Sequence, residues 1–287
     1  MTTFTAPDGT RLAYHVSGEG EPLLCLPGGP MRASAYLGDL GGLSARRRLI
    51  MLDLRGTGDS AAPADPATYR CDRQIEDVEA LRGHLGLDRI DLLAHSAAGD
   101  LALLYAARHP GRIRSLTLIT ARARAIGVDF TEEQRREAAA LRAGEPWFAS
   151  ALEAYERILA GTAADADFDA AAPFFYGRWD ATAKAHAAAD LEQTNEQAAD
   201  AYASAGAFAP DAARAALAAL DARILLLAGE RDSGPRPQVA ADIARLLPGA
   251  ELHVQPGAGH FPWLDDPNGF TRTVTEFLGK DQAPSAI

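Results

Sequence analysis

The chain has 287 residues, with 28 Lys and Arg against 39 Asp and Glu, for a formal net charge of −11. That length holds one large α/β domain, or a core domain with an insertion, and the acidic balance opposes a phosphate backbone or an anionic membrane surface. Met1 to Thr10 shows no basic-then-apolar leader, no apolar run is long enough to span a bilayer, and two cysteines make neither a disulfide framework nor a metal cluster. A soluble cytoplasmic protein, monomeric or a small homo-oligomer, without nucleic-acid or membrane partners, is expected, with Cys25 and Cys71 as structural thiols.

From the N-terminus, Arg11 to Val16 and Pro22 to Leu26 bracket the turn-forming Ser17-Gly18-Glu19-Gly20 and read as two strands joined by a hairpin. Further apolar runs at Leu49 to Leu54, Ile90 to Leu93, Ile113 to Ile119, Ile224 to Ala228 and Glu251 to Val254 include several without strict alternation, as strands buried on both faces are. Ile75, Val78, Leu81 and Leu85 recur at helical spacing, as do Phe270, Val274 and Phe277. Alternating strands and helices predict an α/β fold with a mostly parallel, doubly wound sheet. The alternation stops near Arg122 and resumes near Ile224. Between them the composition is helical, with Thr131-Glu132-Glu133 opening one helix and alanine-rich stretches from Ala183 to Ala219. The expected organisation is a core of residues 1–121 and 222–287 with a helical cap at 122–221, ending in a frayed tail from Lys280 to Ile287.

Ser96 lies in Leu92-Leu93-Ala94-His95-Ser96-Ala97-Ala98-Gly99, an apolar strand that breaks at a small-x-Ser-x-small turn and enters a helical stretch. That is the layout of a nucleophile elbow, where only small side chains fit two residues either side of the serine. Read otherwise, the serine is a helix N-cap. A serine hydroxyl needs a base to take its proton and a third group to orient that base. Downstream, Asp232 follows the strand Leu225 to Ala228, and His260 follows the next strand in Gly257-Ala258-Gly259-His260. Glu230 is the alternative acid. His95 adjoins the serine but points to the other face, as a packed or hydrogen-bonded neighbour. An oxyanion needs donors: the Ala97 N–H is one, and in Leu26-Pro27-Gly28-Gly29-Pro30 only Gly28 and Gly29 have an N–H to give, of which Gly29 is taken as the second. The turn Asp53 to Ser60 lacks the lysine of a phosphate loop and reads as scaffold, with Asp53 and Arg55 bonding nearby backbone.

These residues resemble the α/β-hydrolase superfamily and, within it, the prolyl aminopeptidase (proline iminopeptidase) family: Gly28-Gly29-Pro30, the Asp53 to Ser60 turn, Ser96, the Gly229 to Asp232 turn and Gly259-His260 fall in its order. The resemblance implies a central sheet of about eight strands and a cofactor-free, metal-free serine hydrolase. In it Ser96 is the nucleophile, His260 the general acid/base and Asp232 the group holding the imidazole. It implies release of an N-terminal residue such as proline from short peptides. The same triad serves an esterase, lactonase or small-molecule amidase equally, and a lyase or ligand-binding member of the fold is the other alternative. The family's oxyanion loop usually begins His-Gly-Gly-Pro and its elbow has glycine where this chain has Ala94; Pro27 stands at the histidine's place. An exopeptidase must hold a free ammonium, which similar enzymes do with cap carboxylates. Glu192 and Glu196, four apart in a helical stretch, are this chain's candidates, or else a solvated face. Phe174, Phe175, Tyr176 and Trp179 either wall a pocket for a proline-like ring or form the cap's own core.

Overall fold

A computed structural model describes residues 1–279, so the tail read as frayed lies outside the described residues. Its sheet has eight strands: β1 (Thr2–Thr5), β2 (Arg11–Ser17), β3 (Pro22–Leu26), β4 (Arg48–Leu52), β5 (Ile90–His95), β6 (Ile113–Ile119), β7 (Arg223–Gly229) and β8 (Ala250–Gln255). They lie in the order β1-β2-β4-β3-β5-β6-β7-β8, antiparallel at β1–β2 and β2–β4 and parallel from β4 onward. This is the mostly parallel α/β sheet that the strand and helix pattern predicts, with the eight strands that the resemblance implies. The expected hairpin between β2 and β3 is not formed. β4 inserts between them, so the glycine-rich turn reverses the chain without making its flanking strands neighbours.

The period of a strand divides the core. Leu24 and Leu26 of β3, Leu92 and Ala94 of β5, and Leu116 and Leu118 of β6 pack on one face. That face is covered by helices α1 (Ile75–His84) and α2 (Ala98–Arg108). Leu23, Cys25, Leu93, Ile119, Leu225 and Leu227 pack on the other, under Trp263, Phe270, Val274 and Phe277. Both cysteines are buried and unpaired, and burial pushes their thiols far above the usual range.

Between β6 and β7 the chain forms seven α-helices: α3 (Glu132–Ala140), α4 (Phe148–Leu159), α5 (Asp165–Ala171), α6 (Ala181–Ala188), α7 (Asp190–Gln193), α8 (Glu196–Tyr202) and α9 (Pro210–Leu217). Thr131 caps α3 in a reciprocal box with Gln134. After β7 come α10 (Pro237–Leu246), α11 (Pro262–Asp265) and α12 (Pro267–Gly279). No described helix is long and apolar enough to cross a membrane.

The order of connections positions the site. β4 lies on one side of β3, whereas β5 lies on the other, so the winding reverses between β3 and β5. Ligands of open parallel sheets bind in the crevice beyond the carboxyl ends at such a reversal. Gly28 and Gly29 leave β3 there, and Ser96 leaves β5.

Candidate active site

Ser96 stands at φ +54°, a left-handed conformation uncommon for a residue with a side chain. Its surroundings hold it there. The Ser96 N–H donates to the Ile119 carbonyl (3.0 Å), and its own carbonyl accepts from the N–H groups of Gly99 and Arg122 (2.9 Å each). Ala94 and Ala98 are fully packed, which explains smallness at both positions.

His260 follows β8. Its Nε2 lies 2.9 Å from the Ser96 Oγ, and its Nδ1 lies 2.8 Å from Asp232 Oδ2. The buried Asp232 carboxylate also accepts the Gly234 N–H at 2.7 Å. A carboxylate only accepts, so Nδ1 carries the ring hydrogen and Nε2 presents its lone pair to the serine. Glu230, the alternative acid, is exposed and accepts the Gly257 N–H.

In the loop after β3 the Gly28 N–H donates to the Tyr36 hydroxyl at 2.7 Å and is already engaged. Among the described residues no bond engages the Gly29 N–H, and Gly29 has φ +114°. A Cβ on Gly28 would lie 2.5 Å from the His95 carbonyl oxygen and 2.8 Å from Ser96 Cβ, so glycine is required by close approach to the elbow.

Several contacts at the site carry no sequence signal. The His260 N–H donates to the Phe175 carbonyl (2.7 Å), and the Phe175 ring lies edge-on to the imidazole at 6.0 Å. The His260 carbonyl accepts from Thr120 Oγ1 and His95 Nε2, each at 2.9 Å. Asp265, whose sequence position suits the start of the next helix, instead accepts from the N–H groups of Gly259, Gly177 and Arg178. It thereby ties the histidine loop to the segment before α6. Burial raises its carboxyl above the usual range.

The candidate specificity residues are dispersed. Phe174 is fully buried among Ala139, Ala151, Ala154, Tyr155 and Ala171, in a core made by the helices between β6 and β7. Tyr176 stacks on Phe261 (5.0 Å), bonds His186 Nδ1 (2.7 Å) and carries Trp179 against its ring. Glu192 and Glu196 do not share a helix face: α7 ends at Gln193, and α8 starts afresh after Asn195, whose side chain caps it. Both glutamates are exposed. The break is tertiary in origin, because the backbones of Gln193 and Asn195 bond those of Ala33 and Met31 beside the glycine loop.

The Asp53 to Ser60 turn is scaffold. Asp53 accepts from the N–H groups of Ser34 and Asp59, while Arg55 bonds the carboxylates of Asp77 and Asp8 rather than backbone. His15, Asp53 and Asp59 bring ligand atoms within 4.8 Å of one another, but the Asp53 oxygens are committed to those amides and to His15.

Similarities to known proteins bear on this geometry. Over 117 residues the chain is 38% identical to the proline iminopeptidase of Lactobacillus helveticus (strain DPC 4571), a match spanning 38% of this chain and 40% of that relative's length. Over 289 residues it is 28% identical to the 2-hydroxymuconate semialdehyde hydrolase of Pseudomonas putida, covering 96% of this chain and 93% of the relative. The solved proline iminopeptidase of Mycobacterium smegmatis superposes with a TM-score of 0.74 at 24% identity, covering 97% of this chain and 98% of its own, a likeness of fold. Residues 21–267 match the model of the alpha/beta hydrolase fold family, and the chain, with its eight-stranded sheet wound around the Ser96 turn, belongs to it.

Proposed function

We propose that the chain is a serine hydrolase of small acyl compounds, with residues 122–221 as a cap over the sheet's carboxyl edge. The observation that carries this reading is the unbroken line from Ser96 Oγ to His260 Nε2 (2.9 Å) and from His260 Nδ1 to Asp232 (2.8 Å). Ser96 Oγ attacks the substrate carbonyl carbon while His260 Nε2 takes the hydroxyl proton, and Asp232 stabilises the imidazolium. The tetrahedral oxyanion takes the free N–H of Gly29 and that of Ala97. Collapse breaks the bond to the leaving group, which receives the proton from His260. Water then repeats the sequence on the acyl-enzyme and frees Ser96.

The acyl class favoured is a small ester, lactone or simple amide. Carboxylates bonded near the site are already engaged: Asp232 by His260, Asp265 by three amides and Asp190 by Arg32. Release of an N-terminal residue is the second reading, and the stretch resembling a proline iminopeptidase at 38% identity supports it. The test is intact mass after treatment with an active-serine phosphonate, followed by a panel of short acyl esters, lactones and proline arylamide. Labelling at Ser96, lost in His260→Ala, with ester turnover is the expected result. Arylamide turnover alone would move the chain to the peptidase reading, and an unlabelled Ser96 would overturn the covalent mechanism and leave a lyase or ligand-binding role.

A further inference from the structure

We infer that Tyr36 and His95 are positioning residues, a buried relay that holds the oxyanion loop in register with His260; this rests on the serine-hydrolase reading above. The relay runs beneath the site in three links. The Gly28 N–H donates to the Tyr36 oxygen (2.7 Å), the Tyr36 hydroxyl lies 2.6 Å from His95 Nδ1, and His95 Nε2 lies 2.9 Å from the His260 carbonyl oxygen. Tyr36 and His95 are 4% and 1% exposed.

The proton positions follow from the ends of the chain. A carbonyl only accepts, so the His95 hydrogen is on Nε2 and its Nδ1 accepts from the Tyr36 O–H. The phenol oxygen keeps a lone pair for the Gly28 N–H. His95 is therefore held neutral in one tautomer, which agrees with burial and the neighbouring His260 pushing its pKa well below 6.5. Burial likewise pushes the Tyr36 phenol up, so it remains a donor at working pH.

Two geometric consequences matter for catalysis. With Gly28 N–H fixed on Tyr36, the loop presents the next amide, Gly29 N–H, without an internal acceptor. With its carbonyl held by His95 and Thr120, and its N–H by Phe175, His260 is pinned on both sides of its Cα. The same tyrosine also meets the cap: the Arg32 guanidinium lies 4.6 Å over its ring and bonds Asp190, the Gln193 side chain and the His186 carbonyl. A buried chain of this kind transmits its geometry because each member has a single partner on each side.

The test uses Tyr36→Phe, which deletes one oxygen, and the pair His95→Gln and His95→Leu, on the full chain. Turnover of a short acyl ester is normalised to Ser96 sites labelled by the active-serine phosphonate at saturation, so that only folded protein counts. Tyr36→Phe should lower kcat by roughly 10- to 100-fold with KM within about 3-fold, because the loop serves the transition state rather than ground-state binding. His95→Gln can both accept and donate, and should retain at least about 5-fold more kcat than His95→Leu, which can do neither. Tyr36→Phe within 2-fold of the parent, or equal kcat in the two His95 variants, overturns the relay. Absence of labelling in the parent protein instead overturns the serine-hydrolase reading on which it rests.

Discussion

At the carboxyl ends of β3 and β5, and at the amino ends of the same parallel strands, buried polar groups are put to different use. Beyond the carboxyl ends, the Ser96 hydroxyl meets His260 Nε2, while the groups behind them are bonded in sequence from Gly28 to the His260 backbone. At the amino ends a cavity of about 810 Å³ opens, lined by Arg47, Arg89, Asp91, Arg114 and Arg223 among others. Here charge closes the fold. Buried Asp91 accepts from Ser115 (2.7 Å) and lies 3.5 Å from both Arg47 and Arg114, Arg47 donates to the Leu278 carbonyl, and Arg89 donates to that of Ile113. The charged groups lining this cavity bond one another and the backbone. What marks the other end is a serine held at a left-handed φ with His260 Nε2 aligned to its hydroxyl.

The comparison can be broken by moving activity without stability at one end and stability without activity at the other. Ser96→Ala should lower ester kcat by about 10⁴-fold or more while the melting temperature holds, since the backbone bonds that fix the turn remain and only the hydroxyl is lost. Gly28→Ala comes next. Its methyl would sit 2.5 Å from the His95 carbonyl, so the loop must withdraw, and kcat/KM should fall about 100-fold. Asp91→Ala should leave kcat/KM unchanged but lower stability in a urea melt by about 3 kcal/mol, because Arg47 is left buried without its carboxylate. A loss of activity per folded molecule in Asp91→Ala would erase the distinction between the two ends.

What could be seen in the sequence followed from whether a residue's role is local. Strands such as β7 were legible because burial on both faces demands an unbroken apolar run, and the turn at Ser96 was legible because tightness demands small neighbours at Ala94 and Ala98. Asp232 and His260 were found by their place after β7 and β8. The β2–β3 hairpin misled because turn chemistry dictates reversal but not which strand comes alongside, and β4 took that place. Glu192 and Glu196 misled because helical composition hid the break at Thr194 and Asn195, which the loop at Met31 to Ala33 imposes through space. The contacts of Tyr36 and Asp265, and the bond from His260 to the Phe175 carbonyl, were invisible for the same reason. Their partners lie across the fold, and no spacing records such contacts.

The smallest effect sharpens the comparison with acid. His186 belongs to the carboxyl-end network, with Nδ1 at the Tyr176 hydroxyl and Nε2 at the Tyr36 carbonyl. Burial, aided by nearby Arg32, lowers its pKa from 6.5 to about 4. The unfolded chain therefore binds a proton that the folded chain refuses between those values, so stability is full above pH 6.5 and declines as pH falls toward 4. At pH 5 the loss from this one group is about 2 kcal/mol, at roughly 1.4 kcal/mol per pH unit. Urea melts at pH 7 and pH 5 measure it: the parent should lose that much more stability than His186→Gln, which has nothing to titrate. Equal losses in the two proteins would mean that His186 accepts its proton without leaving the fold, and that acid does not act first at the carboxyl end.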